Sequence, residues 1–378
     1  MVRLFLVVSP LLIATPFATG NPSFSAVQNL LTQSVADDTV AGGSLVVIHR
    51  GKTVFETGFG FADVKTRRPF RVDTPCVIAS ISKPLLGTAV FHLAEAGKLE
   101  ITIPISEYVP EFAELKLESG TPVARAPTMV ELLTHTSGIR NDEAPGGRPW
   151  YASWTKGQPL SFVVTKYARE FPFKAQPGTR YAYSGIGTDV AARVAELAAG
   201  KPRNEMLLEK VCEPLGMTNT FFMDSKRTEQ ADPMPTRYHR RKDGKLAASS
   251  KRTFPAPNTY SSSGGSIIST SADLSRWLLM IRNGGMHAGK AYLAPETIKQ
   301  MLSGQRVGKN AKGGFFIRKD GTGDRPDVIG HTGSSGTNCW IDFENDIIGI
   351  MLTQTRGKDI RPFRIELEKR VAKCFSAR

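Results

Sequence analysis

The sequence predicts an α+β protein in which one antiparallel sheet is built from both ends of the chain. β-rich runs occur near the start, at residues 43–63, and near the end, at about residues 313–355. Helical patterns dominate roughly residues 100–255 between them. A single sheet covered by the terminal helices, with the central segment inserted as a helical subdomain, buries these elements most economically.

The chain is long enough for one large domain. It has 378 residues, 40% of them hydrophobic, which supports a substantial core. We predict a single domain over residues 21–378, with an α/β lobe from about 25–85 and 260–378. The helical lobe then covers about 86–259. A cleft between two such lobes is a natural position for a ligand site.

The first 20 residues are predicted to be a secretory signal peptide. An apolar run from Leu4 to Ala14 is followed by the small residues Ala18 and Gly20 at the spacing of a cleavage site. A membrane anchor needs about 18 or more apolar residues, and Pro10 interrupts this run. Since no cysteine follows, a lipid anchor is not indicated. The mature protein is therefore expected to be exported to the periplasm or beyond the cell, without an integral membrane segment.

Cysteine usage and charge exclude some classes of function. The chain lacks CxxC and HExxH patterns, so a structural or hydrolytic zinc site has no support. Export permits disulfides, and four cysteines allow three full pairings, but in so long a chain buried free thiols are the expected state. The net charge is +14, partly from Arg237 to Leu246. Export argues against nucleic acid as the partner; an anionic envelope polymer or lipid surface fits better, and a solvated basic loop is the favoured interpretation.

The elements follow in order. A helix is expected at Ser25–Ala36, then a hairpin whose two strands are separated by Arg50–Lys52. A helix after Ser80 runs to about Ala96, where Gly97 closes it. Later elements are the helices 128–139, 187–200 and 202–217, a helix capped by Thr270 with Asp273 in capping-box register, the strands 313–319, 339–345 and 347–355, and a final helix 361–373.

Ser80 and Lys83 are the first candidate site residues. On a helix, residues three apart share a face, so the amine reaches the hydroxyl. A helix N-terminus also offers free N–H groups and a positive dipole end that stabilise an oxyanion. Lys83 acts as a base only if its surroundings lower its pKa from about 10.4 toward neutrality. The alternative is that Ser80 is a helix cap and Lys83 a surface charge.

Two further segments carry polar groups suited to chemistry. Tyr183 lies in "QPGTRYAYSGIG", a loop between helical patterns, where a phenol near an ammonium is expected to lose its proton more easily. A packing tyrosine is the alternative. His331 and Thr332, flanked by glycines in "GHTGSSGT", are expected to face the cleft just before a strand and to bind a carboxylate or polarise a carbonyl. The N–H group of Ser334 is a candidate oxyanion donor.

These segments occur in the order Ser-Lys, Tyr, His-Thr-Gly, and the chain resembles the serine β-lactamase-like superfamily over about residues 25–375. That superfamily includes class C β-lactamases, D-alanyl-D-alanine carboxypeptidases, and related esterases and D-amino-acid peptidases. The segments "LLTHTSGI", "PLGMTNTFF" and "SSGGSIISTSADLSRW" are also similar to its signature segments. The resemblance implies a β-lactamase/transpeptidase-like fold.

The resemblance also implies roles. Ser80 becomes the nucleophile, Lys83 its proton-transfer partner and Tyr183 the proton donor to the leaving group. The backbone N–H groups of Ser80 and Ser334 become the oxyanion hole, and His331-Thr332-Gly333 takes the place of the Lys-Thr-Gly strand. Whether Lys83 or Tyr183 is the acylation base stays open. No metal or organic cofactor is implied.

Two residues depart from the class C pattern. A histidine at 331 has a pKa near 6.5 when unperturbed, so activity on anionic substrates is expected to fall as pH rises through its pKa. Gly185 stands where the family usually has an asparagine whose amide binds the substrate's acylamide group. Losing that hydrogen bond costs on the order of 1 kcal/mol, which disfavours efficient β-lactam hydrolysis.

The sequence thus predicts an exported serine hydrolase that acts through an acyl-enzyme on ester or amide bonds. An esterase, D-amino-acid peptidase or carboxypeptidase is favoured, with weak or no β-lactamase activity and a small-molecule, peptide or ester substrate, for which the cell wall is one source. The alternative is a non-catalytic cell-wall peptide or glycan-binding protein. His135 is expected to tie down a loop, while Trp150, Tyr151 and Trp154 either line the cleft mouth or anchor their own loop.

Overall fold

The structure is a computed structural model that describes residues 23–139, 143–144, 148–149, 155–230, 233–249, 256–304, 307–321, 323 and 325–376. The predicted signal peptide lies outside the described residues, and so do the aromatic residues Trp150, Tyr151 and Trp154.

Helices occur at both ends of the described chain and through its middle. They are α1 Ser25–Ala36, α2 Ser82–Glu95, α3 Met129–Leu133, α4 Leu160–Glu170, α5 Gly185–Ala199, α6 Arg203–Leu207, α7 Ser271–Arg282, α8 Pro295–Leu302 and α9 Arg361–Ser376. A π-helical turn, Leu208–Cys212, continues α6.

The strands are mostly short. They are β1 Gly42–His49, β2 Lys52–Asp63, β3 Arg68–Pro69, β4 Cys76–Val77, β5 Glu143–Ala144, β6 Arg148–Pro149, β7 Phe221–Phe222, β8 Tyr238–Arg240, β9 Leu246–Ala248, β10 Ile267–Ser269, β11 Met286–His287, β12 Lys290–Ala291, β13 Phe316–Lys319, β14 Val328–Thr332, β15 Asn338–Asp342 and β16 Ile347–Thr353.

The main sheet joins the two ends of the chain. Within the described residues its order is β13-β14-β15-β16-β1-β2-β3, and every neighbouring pair is antiparallel. β1 and β16 meet in the middle, in register from Gly43 opposite Thr353 to His49 opposite Ile347. The predicted α+β class, with one antiparallel sheet drawn from both ends, is therefore confirmed.

Both faces of this sheet are covered, which explains why β1 reads as a continuous apolar run. Leu45 and Val47 pack in a core with α1 and α9. Val46 and Ile48, on the opposite face, belong to the larger core that includes α2 and α7. Alternate residues of a strand point to opposite faces, so each face receives every second side chain.

Two local expectations needed correction. The helix expected over 128–139 ends at Leu133, because His135 adopts a positive φ of 61°, which no helix accommodates. Thr270 does cap α7, but the Asp273 carboxylate accepts hydrogen bonds from Asn219 and Thr220 instead of from the cap residue. The reciprocal capping box forms at Thr128 and Glu131.

The four cysteines are free thiols: Cys76, Cys212 and Cys339 are buried and Cys374 is partly exposed. Among the described residues, none of the helices has the length and apolar character needed to cross a bilayer.

Candidate active site

Ser80 lies on a short 3-10 turn, Ala79–Ile81, immediately before α2. Ala79 adopts a φ of 49°, a strained conformation for a residue with a Cβ, and this sharp turn leaves Ser80 partly exposed. The residue preceding α2 is Ile81, and it provides no side-chain cap. Ser80 is therefore not a helix cap, and that alternative is excluded.

The strand leading into this turn is fixed by hydrogen bonds from the other end of the chain. The carbonyl oxygen of Val77 accepts from Ser335 Oγ at 2.8 Å and from Gln354 Nε2 at 3.2 Å. The carbonyl oxygen of Ile78 accepts from Thr337 Oγ1 at 2.9 Å. These bonds connect the chain before Ser80 to the residue after β16 and to the loop between β14 and β15, which carries Ser334.

Lys83 is buried beneath Ser80. Its side chain is 4% exposed, so the surface-charge alternative is excluded. Nζ donates to Ser80 Oγ at 3.3 Å and to the carbonyl oxygen of Gly264 at 2.7 Å. Burial lowers the pKa of Lys83 to about 8, partly opposed by the negative charge of Asp189. A substantial neutral fraction exists near neutral pH, as a general base requires.

Tyr183 approaches Ser80 from the other side. Its hydroxyl donates to Ser80 Oγ at 2.8 Å, and Lys83 Nζ lies 4.8 Å from the centre of its ring. Burial raises the pKa of Tyr183 to about 12, while the hydrogen bond to Ser80 lowers it. The expectation that the phenol loses its proton more easily is therefore wrong: desolvation disfavours the phenolate.

His135 accepts hydrogen bonds from the residues immediately before and after Tyr183. Its carbonyl oxygen accepts from Ala182 N–H at 2.8 Å, and its Nδ1 accepts from Ser184 N–H at 3.2 Å. Burial and the charge of Lys83 lower the pKa of His135 to about 3, so the imidazole is neutral. This geometry agrees with a loop-tying role and gives His135 no contact with Ser80.

His331 lies within β14 and does not face the cleft. Its side chain is completely buried and stacks on Phe316 with ring centres 4.1 Å apart. Burial, and then the charge of Lys83, hold the pKa of His331 well below 6.5. The predicted cleft-facing imidazole and its titration near neutral pH are both wrong, because the Phe316 ring covers this histidine.

The residues after His331 do reach Ser80's turn. Thr332 is partly exposed and Ser334 exposed. A Cβ added at Gly333 would lie 2.6 Å from the carbonyl oxygen of Ile78 and 2.1 Å from Thr337 Oγ1. Only glycine permits this close approach. Outside the helices and strands of the described residues, the N–H group of Ser334 donates no backbone hydrogen bond, as one donor of an oxyanion hole requires.

Gly333→Ala tests this close approach. The added methyl must displace the loop from Ser80's turn, and small misplacements of catalytic groups are costly, so we expect kcat/KM to fall by about 10-fold to 100-fold. Gly265→Ala is the matched control, since a Cβ there meets no atom within 4 Å. Hydrolysis rates of both variants on one ester substrate measure the effect; equal losses would contradict the assigned cause.

Two residues of the site were missed from the sequence. The carbonyl oxygen of Gly264 accepts a hydrogen bond from Lys83. Asp189 is fully buried on α5, and its negative charge acts on Lys83. An acidic residue inside the apolar helical run "GTDVAARVAEL" was the available signal for Asp189. Gly264 had none. Within the described residues, no group of three or more His, Cys, Asp or Glu side chains is placed to hold a metal ion.

Known proteins resemble this chain in sequence and in fold. The sequence model of the Beta-lactamase family matches residues 27–373. The D-alanyl-D-alanine-carboxypeptidase/endopeptidase AmpH of Escherichia coli is 30% identical over 241 residues, which cover 63% of this chain and only 56% of AmpH. Esterase EstB of Burkholderia gladioli is 27% identical over 355 residues, covering 86% of this chain and 87% of EstB.

Solved structures share the fold. EstCE1, described as a hydrolase with promiscuous acyltransferase activity, superposes with a TM-score of 0.75 at 20% identity and covers 91% of this chain and 97% of its own. At that identity the likeness establishes the architecture alone.

Proposed function

Because this chain belongs to the Beta-lactamase family of serine hydrolases, we propose that it hydrolyses neutral esters through an acyl-enzyme on Ser80. The observation that carries the proposal is the convergence on one oxygen: Ser80 Oγ lies within hydrogen-bond distance of both Lys83 and Tyr183, at 3.3 and 2.8 Å. A nucleophile with a base and an acid in reach is the arrangement that covalent catalysis needs.

In the proposed reaction, neutral Lys83 accepts the Ser80 proton as Oγ attacks the ester carbonyl. The pKa of Lys83, about 8, suits this role better than that of Tyr183, about 12. Protonated Tyr183 donates its proton to the departing alkoxide, and the Lys83 ammonium then gives a proton to the phenolate, so that the amine is neutral again. The N–H groups of Ser80 and Ser334 stabilise the oxyanion. Water then attacks the acyl-enzyme as the amine accepts its proton. That proton passes from Lys83 to Ser80 Oγ as the acid product leaves.

The preference for neutral esters follows from two features of the cleft: it lacks, at positions 331 and 185, groups that bind a carboxylate or an acylamide, and aromatic side chains line it. His331 is buried and neutral, so it offers no charge to a substrate carboxylate. Gly185 provides no side-chain amide for an acylamide group. Phe316 is partly exposed beside Tyr183, with ring centres 6.2 Å apart, and Tyr181 is 37% exposed. This aromatic wall suits an apolar acyl or alkyl group. EstB is named an esterase.

A hydrolysis screen tests the proposal. Short-chain p-nitrophenyl esters, nitrocefin and D-Ala-D-Ala peptides are compared at equal enzyme concentration. We expect ester hydrolysis to exceed peptide and nitrocefin hydrolysis by at least about 100-fold, the size of effect that one lost recognition group and one lost charge produce together. A carboxypeptidase, the activity named for AmpH, would reverse this order. No turnover of any substrate would favour the non-catalytic cell-wall binding protein.

The remaining sequence predictions belong to this proposal. We propose that residues 21–378 form one catalytic domain and that the chain is exported after cleavage of a signal peptide. Export would give the enzyme access to cell-wall esters and other small molecules of the envelope. Fractionation of cells that produce the full chain, followed by N-terminal sequencing of the purified protein, measures both the compartment and the cleavage point.

The pH dependence of esterase activity should follow Lys83. The neutral amine is the reactive form, so kcat/KM should rise with pH through a midpoint near 8 and change about tenfold per unit well below it. His331→Asn should leave the midpoint in place, since the pKa of His331 lies well below 6.5. Initial rates from pH 5.5 to 9.5 measure both. A midpoint near 6.5 that disappears in His331→Asn would contradict the assignment.

A further inference from the structure

Asp189 is a buried carboxylate in contact with the loop that holds Lys83. It is completely buried on α5. Its Oδ1 accepts the backbone N–H of Ser263 at 2.5 Å, and its Oδ2 accepts the hydroxyl of Tyr260 at 2.9 Å. Burying a charge is costly unless it is paired or hydrogen-bonded, so a carboxylate at this position needs a reason.

The contact with Ser263 leads directly to the amine. Ser263 is followed by Gly264, whose carbonyl oxygen accepts from Lys83 Nζ at 2.7 Å. The fit is tight: a Cβ at Gly264 would lie 2.8 Å from Nζ and 3.0 Å from Cε of Lys83. By holding the Ser263 peptide, Asp189 sets the position of the carbonyl that aims the amine at Ser80.

Asp189 carries the negative charge that acts on the Lys83 amine. The charge of Lys83 acts on His135 and His331, but burial is the main cause that lowers the pKa of both imidazoles, and they are neutral. The pKa of Tyr183 is raised, so it carries no charge either. Among the described residues, Asp189 is the carboxylate whose charge acts on Lys83.

Burial raises the pKa of Asp189, while the hydrogen bond from Ser263 and the charge of nearby Arg203 oppose that rise and favour the carboxylate. Arg203 Nη2 forms a buried ion pair with Asp224 Oδ2 at 3.0 Å, and the same guanidinium donates to Ser261 and Ser263. Arg203 therefore has its own acid. Asp189 and Lys83 are both buried, so water screens the attraction between their charges poorly.

We propose that Asp189 is a positioning residue for the catalytic amine, which it serves in two ways: it fixes the Gly264 carbonyl through Ser263, and its carboxylate favours the protonated form of the amine. The chemical role of Lys83 in this statement rests on the function proposed above. The electrostatic link between the two side chains does not.

The test measures the protonation of Lys83 directly. Protein labelled with 13C at lysine Cε is titrated by NMR, and the Lys83 resonance is assigned by its loss in Lys83→Arg. The midpoint of the wild-type protein should lie at about 8. In Asp189→Asn, which keeps the shape and an acceptor for Ser263, the midpoint should be lower by about one pH unit or more. The pH profile of ester hydrolysis should move by the same amount.

Asp273→Asn is the matched control, since Asp273 is also a buried aspartate, 1% exposed, but is bonded to Asn219 and Thr220. It should leave the Lys83 midpoint unchanged. An unchanged midpoint in Asp189→Asn, or equal shifts in both variants, overturns the proposal. A shifted midpoint in a protein whose Ser80 reacts with no acylating probe would sustain the Asp189 link while refuting the proposed function.

A reciprocal measurement covers the case in which Asp189→Asn does not fold. Coupling between two sites is mutual, so Lys83→Met should raise the midpoint of the Asp189 carboxyl group. That midpoint is read from 13Cγ of labelled aspartate, assigned through the backbone of α5. An Asp189 midpoint that is equal in wild type and Lys83→Met would overturn the proposal on its own.

Discussion

Replacing Lys83 by methionine is expected to lower kcat/KM for ester hydrolysis by about 10³-fold, within the range for loss of a general base. Methionine has a similar length and fills the same space, but it cannot accept the Ser80 proton. The loss corresponds to about 4 kcal/mol of transition-state stabilisation. When acylation limits turnover, most of this loss should appear in kcat. Burst kinetics in a single turnover with a p-nitrophenyl ester measure the rate of acylation separately.

Lys98→Met is the matched control for this prediction, because Lys98 follows the same helix but is exposed. It should retain full activity. If Lys83→Met keeps more than about a tenth of wild-type activity, the loss is smaller than a general base typically contributes. Lys83 is then not the base, and Tyr183 becomes the candidate.

Replacing Tyr183 by phenylalanine should have the second largest effect, and its size should depend on the leaving group. An alkoxide needs a proton to depart, so hydrolysis of alkyl esters should slow by about 10²-fold to 10³-fold. p-Nitrophenolate leaves as an anion, so p-nitrophenyl esters of the same acid should lose far less, about tenfold. Parallel kcat/KM measurements on the two esters give the ratio.

Tyr181→Phe provides the comparison two residues away. Its phenol is 37% exposed, and its change should affect both esters equally. A loss in Tyr183→Phe that is the same for alkyl and p-nitrophenyl esters would show that the phenol does not protonate the leaving group. Its role would then be limited to holding Ser80 through the 2.8 Å hydrogen bond.

Local sequence patterns were sufficient to predict several elements of the fold. The hairpin of β1 and β2 could be predicted because Arg50 and Gly51 separate two β-rich runs, and both adopt the positive φ angles of a tight turn. The end of α2 was equally clear from Gly97. The single sheet followed from the position of the strands in the chain, since only the two ends carry long β-rich runs.

The sequence did not show which side chains of the site are buried. His331 was expected to face the cleft because its neighbours are glycines, yet Phe316, fifteen positions earlier, covers its ring. The pKa of Tyr183 was expected to fall beside an ammonium, but burial of the phenol raises it. Gly264 gave no signal at all, because its contribution is a backbone carbonyl whose direction depends on a carboxylate 75 positions away in α5.

The most direct test of the central claim is the identification of the acylated residue. The protein is mixed with a slowly hydrolysed p-nitrophenyl ester, quenched in acid and examined by intact-mass and peptide mass spectrometry. The account predicts one acyl group per chain on the peptide that contains Ser80, and none in Ser80→Ala. An acyl group on another residue, or hydrolysis by Ser80→Ala at the wild-type rate, would contradict it.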